Sequence, residues 1–286
     1  MRSSLSSIRC FRSPHTVTPT VDLRAASTLA KSSSISSQRS NSMKIGIIGA
    51  GNIGVTIARK LSACGHLVKL ANSKGPETIH ELAKDIGVTA VTKEQAVCDV
   101  DVVVLSIPFA SYSELGELFN GVADDVIVVD TSNYYPARDG SIAEVDEGKP
   151  ESIWVSERIG RPVVKAWNAL LAETLAHKGK PEGLPSRIAI PVAGDDTRAE
   201  AVVQELVDQT GFYALASGGL VDSWRQQPGT PAYCTELSLS ELKAALLAAD
   251  KDRAPLDRDA LMKEFSSAQG ELSHDYIVAR NRAVTS

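Results

Sequence analysis

Three glycines at fixed spacing are the first residues in this chain that could do chemistry. Gly49, Gly51 and Gly54 stand in G-x-G-x-x-G order, between the apolar run Ile45 to Ile48 and a segment with Ile53, Ile57 and Leu61 at helical spacing. The run reads as a buried parallel strand and the segment as an amphipathic helix. A second apolar run, Leu67 to Ala71, closes a βαβ unit of about the expected thirty residues. In such a unit the first glycine permits a tight turn. The second lets the backbone approach a pyrophosphate, and the third lets the helix pack closely on the strand. Asn52 and Ile53 open the helix, where unpaired N–H groups and the helix dipole favour an anion. The chemistry implied is dinucleotide binding.

The end of the second strand selects the dinucleotide. NAD sites usually place Asp or Glu about twenty residues past the glycines, to bind the ribose 2′-hydroxyl. This chain has Asn72, Ser73 and Lys74 there, with no carboxylate until Glu77. A hydroxyl beside an ammonium suits a 2′-phosphate, which a carboxylate would repel. NADP(H) is the expected cofactor.

The elements that must position such a site follow in order. A helix is expected over 77–86 with Ile79, Leu82 and Ile86 inward, then a strand at 88–91 and a helical turn at 93–97. Strands follow at 102–105 and 126–129, separated by a helix that Ser111 caps and that runs to about Phe119. Further strands are expected at 163–167, 188–192 and 212–215, with helices at 168–176 and 198–209. This alternation predicts an α/β fold, a doubly wound (Rossmann) mostly parallel sheet with a small C-terminal helical extension. The expected division is a leader over 1–42, an NADP-binding domain with a substrate-side extension over 43–217, and a C-terminal loop and helical tail over 218–286.

Ligands bind outside the C-terminal ends of strands in open α/β sheets, and that rule selects the remaining candidates. Ile107, Pro108 and Phe109 would lie beside the nicotinamide, with Pro108 also serving as a strand terminator. Asn168 and Ala169 would face the acceptor. Trp224 and Tyr233 could cap the pocket, although as packing aromatics they need no such role. Lys165 is the single cation in a strand near the presumed site and the only catalytic candidate, but such a lysine more often answers a helix dipole or a carboxylate. No His or Lys–Asp constellation is visible. That absence fits hydride exchange between stacked rings, which needs proximity and orientation more than an acid or base.

Composition closes off other classes. The chain has 286 residues, 43% of them hydrophobic, and a net charge of −5 without a downstream basic patch, which argues against nucleic acid. No apolar run reaches the roughly twenty residues of a membrane span, so the expected partner is a small molecule, with a homodimer also allowed. Cys10, Cys64, Cys98 and Cys234 are widely spaced and read as thiols rather than a disulfide framework or metal site. Residues 1–42 carry six basic residues, one acid and thirteen serines. That composition reads either as an organelle transit peptide or as a start assigned upstream of Met43. The compartment is accordingly cytoplasmic, or organellar if the leader is real.

The segments MKIGIIGAGNIG, ANSKGP, VLSIPF, VVKAWN, IPVAGDD and SWRQQPGTPAY resemble the NADPH-dependent F-420 reductase family over roughly residues 43–235. The resemblance implies that the glycine loop holds NADP(H), and that Ser73 and Lys74 occupy the place of a Ser-Arg pair gripping the 2′-phosphate. Lysine keeps the charge there but loses the bidentate geometry. The family's Ile-Pro-aromatic turn is matched by Ile107, Pro108 and Phe109. Its deazaflavin-binding wall contains a histidine, whereas this chain has Trp167-Asn168-Ala169-Leu170-Leu171. The membrane ferric reductases of animals carry a similar cytosolic domain with a Lys-Ala-aromatic-Asn segment. The expected reaction is hydride transfer between NADP(H) and a flavin or deazaflavin. The alternatives are an imine reductase resembling pyrroline-5-carboxylate reductase and a non-enzymatic NADPH-sensing module.

Overall fold

The computed structural model describes residues 42–285. The expected leader, apart from Ser42, lies outside the described residues. Strand β1 (Lys44–Ile48) leads into α1 (Asn52–Ala63) and β2 (Leu67–Ala71), so the first βαβ unit stands as the residue pattern predicts. A 3-10 turn at Pro76–Ile79 precedes α2 (His80–Asp85), β3 (Thr89–Ala90) and α3 (Lys93–Ala96). Then come β4 (Val102–Leu105) and β5 (Ile127–Asp130), followed by α4 (Pro136–Asp139), α5 (Ala143–Asp146) and α6 (Glu151–Ile159). The second half holds β6 (Val164–Lys165), α7 (Ala172–His177), β7 (Ala189–Val192), α8 (Thr197–Gln209) and β8 (Tyr213–Ala216).

The main sheet has the order β3-β2-β1-β4-β5-β6, and all its pairings are parallel. That is the Rossmann order, with its switch point between β1 and β4. Side chains alternate across it: Ile45, Ile47, Val102, Val104, Ile127 and Val129 pack on the face that includes α1 and α8. Ile48, Val103, Leu105 and Val128 pack on the other, against Phe109, Tyr112 and Trp154. A sheet buried on both faces needs these nearly continuous apolar strands.

Three expectations change. The last two strands form a separate parallel pair, joined to the main sheet by an antiparallel bridge between Lys165 and Ala193. Pro191 sits inside β7 without an N–H to give a second neighbour, which confines that strand to an edge. The expected helix from Ser111 to Phe119 is instead two 3-10 segments, Phe109–Glu114 and Gly116–Phe119. Pro108, not Ser111, stands at the start of the first, and no side-chain cap is made there. The helix expected from Asn168 begins only at Ala172, because Leu171 before it is in extended backbone (φ −72°, ψ 152°).

The C-terminal part is α9 (Leu239–Ala248), α10 (Ala254–Ser267) and α11 (His274–Thr285). It is tied down more firmly than a loose tail would be. Arg280 spans both carboxylate oxygens of Glu264 at 2.7 and 2.8 Å, and Arg282 donates to the Thr235 and Glu236 carbonyls at 2.6 and 2.9 Å. Among the described residues no helix is long and apolar enough to cross a membrane, and no group of His, Cys, Asp and Glu could hold a metal. Cys64 and Cys234 are free thiols.

Candidate functional site

The three glycines have three different surroundings. Gly49 has φ +115°, and a Cβ there would overlap the carbonyl oxygen of Ser106 at the end of β4. A Cβ on Gly54 would overlap the carbonyl oxygen of Gly49. Both positions are closed by the protein's own packing. Gly51 is not: its φ of −81° suits any residue, and a Cβ would meet nothing within 4 Å. No neighbour in its own chain requires that glycine, so the open space beside it is where a ligand could approach the backbone. The helix behind it is free to answer an anion. Gly51 is the N-cap of α1, no side chain caps the helix, and its first turn carries no acid. These residues fit a pyrophosphate.

At the end of β2, Asn72 donates to Thr78 Oγ1 at 2.7 Å and accepts from the Lys74 amide at 3.2 Å. This shapes the turn, leaving Ser73 and Lys74 exposed. Lys74 makes no ion pair with any described residue, so its ammonium is available to a phosphate.

A cleft of about 280 Å³ opens beside the glycine loop. One wall is Ile53 from α1 with Ser106, Ile107 and Pro108 after β4. The floor is Thr131, Ser132 and Asn133 after β5, and the far side is Trp167, Asn168, Leu170 and Ala172. Tyr135, Arg138 and Tyr233 complete it. The cleft thus sits at the strand C-termini next to the switch point.

Asn168 is held rigidly in this cleft. Its side chain donates to Asn133 Oδ1 at 3.0 Å and to the Gln226 carbonyl at 2.8 Å, and accepts from Gln226 Nε2 at 3.0 Å. Gln226, from the SWRQQPGTPAY segment, is itself fully buried. The C-terminal extension therefore reaches back to fix a residue of the cleft.

Of the residues singled out from sequence, Ile53, Ile107, Pro108, Asn168 and Tyr233 meet at the cleft. Phe109 does not. It is fully buried and stacks on Trp154 at 4.8 Å, because the turn at Pro108 sends it into the core. Ala169 is buried outside the lining, its carbonyl accepting from the Cys234 amide at 2.9 Å. Trp224 also stands apart, its ring covered by the Arg225 guanidinium at 4.5 Å.

Lys165 lies beneath the cleft and outside its lining. It is fully buried, and its Nζ is 3.2 Å from Glu151 Oε2 and 3.5 Å from Asp130 Oδ2. It also donates to the Ser132 carbonyl at 3.1 Å. Asp130 accepts from Tyr112 and from both the amide and hydroxyl of Ser132, while Ser152 donates to its other oxygen. Burial alone would raise the Asp130 pKa, but Lys165 and the Ser132 and Ser152 hydrogen bonds outweigh it and hold the carboxyl below its usual value. For Glu151, burial prevails over the attraction of Lys165, and the pKa is raised.

The pKa of Glu151 is thus higher folded than unfolded. The stability it contributes is fully present below its unfolded value of about 4.3 and is lost as pH rises through the folded value. Glu151→Gln should therefore gain in melting temperature relative to wild type as pH goes from about 4 to about 8. A difference that stays constant or shrinks over that range would contradict this assignment.

Sequence reasoning missed Tyr135 and Arg138, because the polar stretch after β5 has no clear periodicity. The signal was positional: Tyr135 follows β5 by a few residues, in the kind of loop that carries ligands in this fold. Arg138 bridges from Asn133 to Asp139, donating to the Asn133 carbonyl at 2.7 Å and to Asp139 at 2.8 and 3.0 Å. Its guanidinium lies 5.2 Å from the Tyr135 ring.

Comparison with known proteins agrees with the fold and narrows the family. The model of the family described as NADP oxidoreductase, coenzyme F420-dependent, matches residues 44–134. The Escherichia coli (strain K12) protein YjhV is 35% identical over 108 residues, which is 38% of this chain and 79% of that protein. The crystal structure of the hypothetical protein SMa0349 from Sinorhizobium meliloti is 32% identical, with a TM-score of 0.56 over 67% of this chain and 93% of that one. A structure from Arthrobacter sp. FB24, provisionally described as an F420-dependent NADP reductase, shares the fold at 21% identity, with a TM-score of 0.51 over 62% of this chain and 86% of that one.

Proposed function

The chain belongs to the family of NADP oxidoreductases dependent on coenzyme F420, and on that premise we propose that it passes a hydride between NADP(H) and a flavin- or deazaflavin-type ring. It is an NADP-dependent oxidoreductase; the acceptor is the proposal. One observation carries it. Among the described residues the lining of the cleft beside the glycine loop contains no carboxylate, imidazole or ammonium, and burial holds its two phenols, Tyr135 and Tyr233, well above the usual tyrosine pKa. A reaction that moves a hydroxyl proton needs a group within reach that exchanges a proton near neutral pH, whereas hydride exchange between stacked rings does not.

In this reading each residue has a definite task. The α1 amides and the open space at Gly51 take the pyrophosphate, and Ser73 and Lys74 take the 2′-phosphate. Ile53, Ile107 and Pro108 give an apolar wall for the nicotinamide, which supplies the hydride when NADPH is bound. Asn168, locked by Asn133 and Gln226, presents a fixed polar edge to the acceptor. The fully buried Lys165–Asp130–Glu151 cluster holds the ends of β5 and β6 beneath it and takes no part in the transfer.

The phosphate assignment makes its own prediction. Lys74→Asp should weaken NADPH binding roughly tenfold or more, as for loss of one charge-assisted contact, with NADH binding little changed. Titration of the variant with each nucleotide checks this, and equal losses for both would reject the assignment. The acceptor is tested by following NADPH oxidation with a deazaflavin, FMN, riboflavin and pyrroline-5-carboxylate supplied separately. Turnover is expected with the ring acceptors. Turnover with the imine alone, or tight NADPH binding with no turnover at all, would overturn the proposal.

A further inference from the structure

Two tyrosine hydroxyls meet at the cleft from opposite parts of the chain. Tyr135 follows β5 and Tyr233 belongs to the C-terminal extension, yet their hydroxyl oxygens lie 2.7 Å apart, and both residues line the cleft. Two hydroxyls share one hydrogen bond, so one O–H of the pair is used internally. The other faces the Cys234 sulfur, a weak acceptor, at the edge of a polar cavity of about 280 Å³. The ring of Tyr135 is held in place by the Arg138 guanidinium 5.2 Å from it, and its amide by Asp139 Oδ2 at 2.9 Å. A rigid donor whose protein alternative is only a weak thiol acceptor, placed in a ligand cleft, can turn to a stronger oxygen acceptor from outside.

We propose that the Tyr135–Tyr233 pair is the hydrogen-bond donor that receives the negative charge formed on the acceptor, on a ring carbonyl conjugated to the atom that takes the hydride. This rests on the ring-acceptor reading and extends it to named groups. In the forward direction the C4–H bond of the dihydronicotinamide breaks, and hydrogen with its electron pair forms a bond to the acceptor. The nicotinamide becomes cationic and the acceptor gains one negative charge, so no further oxidant or reductant is needed. Burial, with the neighbouring Cys234 thiol, raises both tyrosine pKa values well above the ordinary one. The pair therefore donates a hydrogen bond without giving up a proton, and the charged product leaves to be protonated in water. The acceptor class is thereby restricted to rings bearing such a carbonyl. A quinone-like or flavin-like ring qualifies, while a simple iminium does not, since it becomes neutral on taking a hydride.

The test uses Tyr135→Phe, Tyr233→Phe and the double variant in the full chain, with riboflavin or a deazaflavin as acceptor. Removing one preorganised donor at a developing oxyanion costs roughly a hundredfold in turnover. The more affected single variant should lose kcat on that scale while its NADPH dissociation constant and melting temperature stay at wild-type values. Riboflavin binding in the presence of NADP+, read from quenching of its fluorescence, should weaken about two- to tenfold, as for one ordinary hydrogen bond. Because one hydroxyl acts through the other, the double variant should be no slower than about threefold below that single variant. Both single variants at wild-type kcat, or losses that follow NADPH affinity or melting temperature, would overturn the inference while leaving the ring-acceptor reading in place. A wild-type protein that neither binds nor reduces any ring acceptor would remove that reading and the inference together.

Discussion

Gly51→Val should abolish dinucleotide binding in a protein that remains folded. Valine fits the backbone there, since Gly51 has φ −81°, and its Cβ meets no atom within 4 Å. The remaining penalty on folding is the poorer N-cap, about 1 kcal/mol, or roughly 2–4 °C in melting temperature for a domain of this size. The penalty on binding is far larger, because the added methyl groups fill the space through which a pyrophosphate would reach the α1 amides. NADPH affinity should fall roughly a hundredfold or more, about 2.7 kcal/mol. Gly54→Val is the control. Its Cβ would overlap the Gly49 carbonyl, so that variant should fail to fold rather than fail to bind. Calorimetry beside nucleotide titration separates the two. A Gly51→Val protein that binds NADPH normally would show that the open space is not the nucleotide's.

The second large effect is on stability. Lys165→Met should destabilise the fold by about 3–5 kcal/mol, the cost of stranding buried charge when one partner is removed. At roughly 2–4 °C per kcal/mol, the melting temperature should fall on the order of ten degrees. Asp130 and Glu151 would remain in the interior, fully buried or nearly so, with no cation beside them. Adding Glu151→Gln and Asp130→Asn to Lys165→Met should recover part of the loss, because a neutral cluster leaves no charge uncompensated. If Lys165→Met melts within a degree or two of wild type, the ammonium is not the counter-ion that the distances indicate. A melting loss accompanied by normal turnover in the surviving folded protein would support a structural rather than a catalytic role for this lysine.

The first βαβ unit was readable almost residue by residue, since apolar periodicity and glycine spacing are local signals. The sheet order follows from the same alternation. What escaped the sequence was set by single residues acting across distance. Pro191 turns the last two strands into a separate pair, and Leu171, in extended backbone, delays a helix by several residues. Phe109 matches a nicotinamide-contacting motif in type, yet Pro108 aims it into an aromatic cluster with Trp154. Trp224 has the composition of a pocket cap but stands outside the cleft, its ring beside the cations Arg225 and Lys251. Tyr135 and Arg138 lie in a stretch whose polarity hides its position, and only the folded chain brings Tyr135 to Tyr233. The glycine loop could thus be recognised from residue type and spacing, while the acceptor side depends on contacts between residues far apart in the chain.

The most direct test of the proposed reaction follows the hydrogen itself. The full chain would be supplied with NADPH carrying deuterium at one or the other face of nicotinamide C4, together with a deazaflavin, whose receiving carbon retains the label. Product mass would then be read. Hydride transfer within a fixed cleft predicts a product one mass unit heavier with one labelled isomer and unlabelled product with the other. Label from both faces, or from neither, would contradict direct transfer between rings held by this site.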